Sequence, residues 1–352
     1  MAIHMYKGSL PKYQSSSIAV FNYRTNKLIK KLPVNFSQPP SNLQQHTLLT
    51  DPLEKYLIVC DDYGIIVYSI ERAFKVHAKF SIPSEHLESP LPYISINQPL
   101  TRVRVFNSDE LLIAKGSSLL RWNFNQQKVA TQVPELLIFP FNQKIADFEC
   151  DPEKELLFVM LELLFTYEYC EVIAFDLEDM TPVSRYRLNC MFLNRFWGLN
   201  IETGSIAILQ SDLVKKKSVI TFLCLNPDFE LEEIKSYQID GWALPYLISS
   251  KEISCLIISQ MAGTALKRVW GYFEYAEDSF LTGNESVREG SAQLSLPRYQ
   301  KCFDYVDQLG CFVGFDGGSL FLCKRRRIID CEESLPGEPF WEHVRYTSES
   351  DA

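Results

Sequence analysis

Dense apolar runs behind short charged turns recur along this chain. CDPEKELLFVMLEL, Cys150 to Leu163, is one of them. The same rhythm starts at Asp51 (DPLEKYLIVC), Ser108 (SDELLIAKG), Glu202 (ETGSIAILQ), Ser250 (SKEISCLII) and Val306 (VDQLGCFVGF). The apolar runs begin at Leu57, Leu111, Leu156, Ile206, Cys255 and Cys311, so successive units lie 54, 45, 50, 49 and 56 residues apart. Each run is short and rich in Ile, Val, Leu, Phe and Tyr, which suit a pleated, buried surface. Turns with glycine follow at Tyr63-Gly64, Lys115-Gly116 and Asp316-Gly317-Gly318, supplying the positive-φ positions that tight hairpins need. A second apolar run comes next, then a polar turn and an alternating strand such as KVHAKFSI or PVSRYRL, with one face for solvent. No helical period is sustained for ten residues; SDLVKKKS, Ser211 to Ser218, comes nearest.

One such unit cannot bury both faces of its sheet, whereas units packed side by side in a ring can. A loose period near 50 with three or four strands per unit therefore predicts an all-β chain, a β-propeller. The expected count is seven blades of four-stranded antiparallel sheets, with six or eight as the neighbouring solutions. SIAVFNYRTNKLIKKLPV, Ser17 to Val34, reads as the third and fourth strands of a further unit, with FWEHVRY, Phe340 to Tyr346, completing it and closing the ring. That makes residues 1–346 a single propeller domain and 347–352 a disordered tail. A two-layer β-sandwich, or a pair of all-β domains, is the competing arrangement.

Composition narrows the class. Among 352 residues 46% are apolar and 13% aromatic, enough for a large core and against intrinsic disorder. A net charge of −9 argues against an electrostatic footprint for nucleic acid over the whole surface. MAIHMYKGSLPKYQ has no apolar core of signal-peptide length, and Glu162, Glu168 and Glu171 interrupt the longest apolar segments before they reach a membrane span. Ten cysteines without a C-x-x-C pair, several inside apolar runs, read as reduced core residues and point to a cytoplasmic or nuclear protein.

Three units end their second apolar run on an aromatic-polar pair: Phe175-Asp176, Trp122-Asn123 and Tyr68-Ser69. Here the chain resembles the WD-repeat family, which places Trp-Asp at that point. The resemblance covers most of the chain in rhythm but omits the family's Gly-His pair. The five histidines, His4, His46, His77, His86 and His343, occupy no common place in the repeat. The resemblance thus implies a divergent WD-like propeller without most of the family's side-chain network, acting as a non-enzymatic protein-interaction scaffold.

No G-x-S-x-G, H-E-x-x-H, Walker-type or dinucleotide fingerprint occurs. FDGGSL has a hairpin's length and lacks the Gly-Lys ending of a phosphate cradle. Asp51, Asp109, Asp151 and Asp307 sit in the recurring turn, where Asp bonds its own backbone. They read as architecture, and no metal ligand or cofactor is expected. Lys215 to Lys217 reads as a loop tip. Lys324, Arg325, Arg326 and Arg327 read as a turn between third and fourth strands, or as a grip for phosphate or an acidic peptide. NRFWGLN and IDGWALPYL fall between the outer strand of one unit and the inner strand of the next. Arg195, Trp197 and Trp242 are therefore the expected anchors for a partner, because Trp, Tyr and Arg dominate interface energies. The expected function is a scaffold or substrate-recruiting subunit of a multiprotein complex, binding one or more proteins. The alternatives are a propeller enzyme of lactonase or hydrolase type with acids at the channel mouth, and a phosphoinositide or nucleic-acid binder using residues 324–327. The polar stretch Thr282 to Gln293 reads as a flexible loop or modification site.

Overall fold

The structure, a computed structural model, describes residues 2–7, 15–22, 27–34, 47–61, 64–81, 101–140, 142–163, 169–189, 195–202, 205–212, 217–240, 242–249, 254–262, 267–274, 303–306, 311–316, 319–325 and 341–347. They form strands and turns; no helix occurs among them. The strands fall into seven sheets, matching the count that the repeat predicts. They are grouped in two compact units, Met1–Met191 and Phe192–Ala352.

The first unit holds four sheets. Sheet 1 contains β1 (Ala2–Lys7), β2 (Ser15–Asn22) and β3 (Lys27–Val34). Sheet 2 contains β4 (Thr47–Thr50), β5 (Tyr56–Asp61), β6 (Gly64–Ser69) and β7 (Lys75–Ser81). Sheet 3 contains β8 (Thr101–Val105), β9 (Glu110–Lys115), β10 (Ser118–Asn123) and β12 (Glu135–Ile138), while the two-residue β11 (Val129–Ala130) between β10 and β12 joins sheet 2 as its fifth strand. Sheet 4 contains β13 (Gln143–Asp151), β14 (Leu156–Leu163), β15 (Tyr169–Asp176) and β16 (Pro182–Asn189).

The second unit holds three. Sheet 5 contains β17 (Arg195–Glu202), β18 (Ser205–Asp212), β19 (Lys217–Leu225) and β20 (Leu231–Asp240). Sheet 6 contains β21 (Trp242–Ser249), β22 (Ser254–Ala262) and β23 (Lys267–Glu274). Sheet 7 contains β24 (Phe303–Val306), β25 (Cys311–Asp316), β26 (Ser319–Arg325) and β27 (Trp341–Thr347). Each predicted apolar run is a second strand: β5, β9, β14, β18, β22 and β25. Ser211–Ser218, the nearest approach to a helical pattern, instead contributes to β18 and β19, its residues 213–216 lying outside the described set.

Two terminal expectations are corrected. β27 pairs with β26 as the fourth strand of sheet 7, so it does not complete the first sheet. The neighbour of β2 there is β1, while β2 and β3 pair as expected of Ser17–Val34. β27 also runs through Thr347, which the sequence assigned to the tail.

Strand periodicity explains the packing. Successive side chains of a strand point to opposite faces. On β5 and β6, Ile58, Cys60, Ile65 and Val67 pack with Val103, Leu111, Ile113, Trp122 and Phe124 of the sheet 3 segment. The alternate residues Leu57, Val59, Ile66 and Tyr68 pack with Ile18, Val20 and Leu32 of sheet 1. Leu157, Val159 and Leu161 of β14 face Leu112, Ala114 and Leu119 of sheet 3. Both faces of these second and third strands are thus dry, which is why they read as continuous apolar runs rather than alternating ones. Each such buried side chain contributes about 1.5–3 kcal/mol.

The turns repeat as well. Ser69, Asn123, Asp176 and Asn226 close or directly follow third strands, and their side-chain oxygens accept backbone N–H groups of the next turn: Arg72, Gln126, Glu178 and Glu230 at 3.3, 2.9, 2.7 and 2.9 Å. The residue after three of them, Ile70, Phe124 and Leu177, donates its N–H to a carbonyl of the preceding turn. The third-to-fourth strand pairing shifts register near this point in sheets 2 to 5, and the pairing of β2 with β3 shifts likewise in sheet 1. Gly116, at φ 57, is the first central residue of the two-residue turn joining β9 to β10, as a type II′ hairpin requires.

Candidate functional site

β8 and β13 are edge strands of sheets 3 and 4, and each carries charge on one face. Arg102 and Arg104 lie two apart on β8. On β13 the register shifts between Ile145 and Asp147, leaving Ala146 extra, and Asp147 and Glu149 follow two apart. The opposite signs meet. Arg104 Nη2 donates to Asp147 Oδ1 at 3.0 Å and its Nε to Glu149 Oε2 at 2.6 Å. Its Nη1 donates to the Val103 carbonyl at 3.2 Å, and the guanidinium stands 5.6 Å from the centre of the Phe148 ring. The Asp147 side chain is 3% exposed and also accepts the Phe148 N–H at 3.0 Å. Arg102 approaches Asp147 only to 4.0 Å, and its buried Nε and Nη2 make no hydrogen bond.

Burial sets the electrostatics. At Glu149 it dominates the opposing pull of Arg104 and pushes the carboxyl above its ordinary value. At Arg104 burial works against the charge, but Glu149 and Asp147 outweigh it and hold the guanidinium protonated. The Cys150 thiol is pushed up to about 12 by burial, so it is inert at neutral pH. Arg104 thus holds one oxygen of each carboxyl in a hydrogen bond. The arrangement cross-links sheets 3 and 4, beside the Ile145 N–H to Gly116 carbonyl bond at 2.8 Å.

A second side-chain network joins sheets 2 and 3. The Asn125 Oδ1 lies 2.6 Å from His77 Nε2 and accepts from the Tyr56 hydroxyl at 3.4 Å, while Asn125 Nδ2 donates to Asp109 Oδ1 at 2.6 Å. The Tyr56, His77 and Phe124 rings stack around it, 4.8 to 6.1 Å apart. The sheets are therefore tied by side chains of another composition than the missing Gly-His pair would supply.

The sequence-predicted residues fall as follows. Asp51 accepts from Leu53 and Tyr56 N–H at 3.1 and 2.6 Å, and Asp151 from Glu153 and Lys154 N–H at 3.1 and 3.2 Å. Both are turn residues, as expected. Asp109 sits in the turn before β9 but does not bond its backbone: Asn107 Oδ1 accepts the Asp109 N–H at 2.9 Å, and the Asp109 carboxyl serves the Asn125 network. Asp307 lies outside the described residues. Arg195 and Trp197 are within β17, and Trp242 opens β21, so they stand on first strands rather than on the connections before them. Their side chains lie outside the described set. Lys324 and Arg325 end β26, with Lys324 in register opposite Glu342, so half of the basic run is strand and not turn. Arg326, Arg327 and Thr282–Gln293 lie outside the described residues. Sequence reasoning missed Arg102, Arg104, Asp147 and Glu149, although TRVRV and ADFE both show like charges two apart. Among the described residues no group of three or more His, Cys, Asp or Glu side chains is placed to hold a metal ion, and no helix is long and apolar enough to cross a membrane.

Three solved structures are similar to this one in fold. A candidate 6-phosphogluconolactonase from Bacteroides fragilis matches at a TM-score of 0.56, with 9% identity over 98% of this chain and 95% of that one. Its counterpart from Bacteroides uniformis matches at 0.54, with 9% identity over 98% and 96%. KlAtg21, solved in complex with the coiled-coil of AgAtg16, matches at 0.53, with 8% identity over 99% of both chains. The fold is a β-propeller. No protein-family model and no curated protein matches the sequence. Identities this low carry the fold and nothing of the activity.

Proposed function

We propose that this propeller is a protein-interaction subunit, a rigid platform that recruits one or more protein partners. The observation that carries the reading is the fate of the acids on the first strand of sheet 4. A hydrolase needs a carboxylate free to give or take a proton. Asp147 and Glu149 are instead engaged by Arg104, and they join two sheets. The KlAtg21 structure, with its bound coiled coil, supports the reading as a precedent of fold only. Arg195, Trp197 and Trp242 are the proposed anchors: Arg195 and Trp242 are each the first residue of the first strand of successive sheets.

The test is capture of the tagged full chain with chemical cross-linking, followed by native mass spectrometry for stoichiometry. A stoichiometric partner is expected. Trp197→Ala with Trp242→Ala should release it, because a hot-spot truncation costs about 2 kcal/mol or more. Hydrolysis of 6-phosphogluconolactone by the purified chain, without a stoichiometric partner, would overturn the reading.

A further inference from the structure

Sheet 3 departs from the pattern of its neighbours in one respect. After β10 the chain turns at Phe124–Gln127 and does not run back along β10. It crosses to sheet 2, where β11 pairs in parallel with β7, Val129 opposite Lys79 and Ala130 opposite Phe80, and the Lys79 N–H donates to the Lys128 carbonyl at 2.8 Å. Only at Glu135 does it return as the short β12, which pairs with Ser118, Leu119 and Leu120 and skips Leu136 at a register shift. Arg121 gains a single contact from that side, its N–H to the Pro134 carbonyl at 3.4 Å. The diverted strand leaves a cleft of about 300 Å³ beside the end of β10, lined by Glu110, Arg121, Gln126, Gln127, Glu135 and Leu136 among others. That volume is at the lower end of the range for ligand sites.

The cleft has a built wall and an open charge. Arg121 donates to both oxygens of Glu110, at 3.3 and 2.8 Å, and stacks 4.7 Å from the Phe106 ring centre. Asn107 Nδ2 donates to Glu110 Oε2 at 2.6 Å. Burial pulls the Glu110 carboxyl up, but the hydrogen bonds from Arg121 and Asn107 prevail and hold it below its ordinary value. The Arg121 charge is thus spent on Glu110. Glu135 receives only the Ser118 hydroxyl, at 3.1 Å, and stays exposed. The lining therefore has one negative charge in excess, next to the exposed amide of Gln126, whose own N–H is bonded to Asn123 Oδ1 but whose side chain has no partner.

We propose that this cleft binds an extended segment of a partner protein, a lysine or arginine of that segment meeting Glu135 and its peptide groups meeting the Gln126 amide. The charge excess selects a basic over an acidic segment, and the amide at the mouth suits a backbone with unpaired donors and acceptors. This rests on the interaction-subunit reading, which it supplies with a site and a partner chemistry.

The probes are two fluorescein-labelled nonapeptides, one alternating lysine with threonine and one alternating glutamate with threonine, titrated by anisotropy into the full chain. The basic peptide should bind and the acidic one should not. Because the whole chain is acidic, Glu178→Lys, in an exposed turn of sheet 4, controls for net charge. Glu135→Lys should weaken the basic peptide about tenfold, against less than about twofold for Glu178→Lys. Gln126→Ala should weaken it about threefold. A photo-cross-linking benzoylphenylalanine in place of Gln126 should capture the basic peptide. Equal effects of the two reversals, no binding up to millimolar peptide, or tighter binding of the acidic peptide or of inorganic phosphate would overturn the proposal. The two readings fail separately. A stoichiometric partner bound equally by the Glu135→Lys chain removes the cleft alone. A peptide that binds the cleft of a chain with no stoichiometric partner removes the subunit reading.

Discussion

Replacing Arg104 with methionine tests whether the charges between sheets 3 and 4 are structural. Methionine keeps an apolar stem against Phe148 and removes the guanidinium. Asp147 loses a hydrogen bond of 3.0 Å and Glu149 one of 2.6 Å. Breaking a buried pair from one side costs roughly 3–5 kcal/mol. The Arg104 and Glu149 side chains are 23% and 22% exposed, so water recovers part of the loss and the lower end applies, about 3 kcal/mol. In a unit of this size each kcal/mol lowers Tm by about 2–4 °C, so calorimetry should show a drop of roughly 6–12 °C. Urea unfolding should show a lower midpoint at unchanged slope. Without the guanidinium, nothing opposes the burial that already holds the Glu149 carboxyl above its unfolded value, near pH 4. The folded variant then holds protons that its unfolded chain has released, so it regains stability as pH falls from 7 towards 4.5. Asp147→Asn and Glu149→Gln in the same background should recover part of the loss at pH 7. A loss below about 1 kcal/mol, or a gap between variant and parent that does not narrow on acidification, would refute a structural role for the cluster.

The remaining expectations are more local. Arg102→Met should leave stability unchanged or raise it by about 1 kcal/mol in urea unfolding, since it removes two buried donors that make no hydrogen bond; a loss beyond about 2 kcal/mol would show that the guanidinium has a partner. Asp51→Ala should cost about 1–2 kcal/mol, because a side chain of a residue 1% exposed loses its bonds to Leu53 and Tyr56. Burial pushes the Lys115 ammonium down to about 8. Its folded state sheds a proton between pH 8 and about 10.5 while the unfolded chain keeps it, so stability rises with pH in that window and Lys115→Met should abolish the rise. Competitive acylation across pH, read by mass spectrometry, should place the Lys115 midpoint near 8, and a midpoint near that of the other lysines would count against it.

The repeat was legible because both faces of β5, β9 and β14 are dry. Leu57–Cys60, Leu111–Ala114 and Leu156–Leu161 are buried without alternation, and a run of that kind between charged turns stands out in any window. The turn caps were legible too, since Asp51 and Asp151 bond the nearest N–H groups and need no distant partner. Asp109 looked identical in sequence, but Asn107, two residues earlier, took its turn role and freed it for Asn125. Local chemistry thus predicts a turn without saying which of two competing oxygens makes it. Arg195, Trp197 and Trp242 were assigned to connections from their place between the outer strand of one unit and the inner strand of the next, whereas the register of β17 starts at Arg195 and β21 opens at Trp242.

Two features stayed hidden for the same physical reason: they depend on what a strand faces across a gap. TRVRV and KIADFEC each read as half-apolar segments, and only the meeting of β8 with β13 turns two like-charged pairs into one neutral cluster. Opposite i, i+2 charge pairs on the first strands of successive units are therefore worth reading as a bridge between sheets. The second case is KVATQV. Its alternation makes it a sound fourth strand for sheet 3, as KVHAKFSI is for sheet 2. The side chains before it decide otherwise. Asn125 is held by His77 and Tyr56 of sheet 2, which draws the turn after β10 across the gap, and Ala130, 1% exposed, is then paired with Phe80 of sheet 2 and buried between the two sheets. The same hydrogen bonds that displace the strand open the cleft beside Glu135. Asn125→Ala should thus loosen β11 from β7, and amide exchange at Lys79 should report it by faster loss of protection. If Lys79 exchange is unchanged, the turn is held by β11 pairing itself, and Asn125 only decorates an edge that backbone bonds have already chosen.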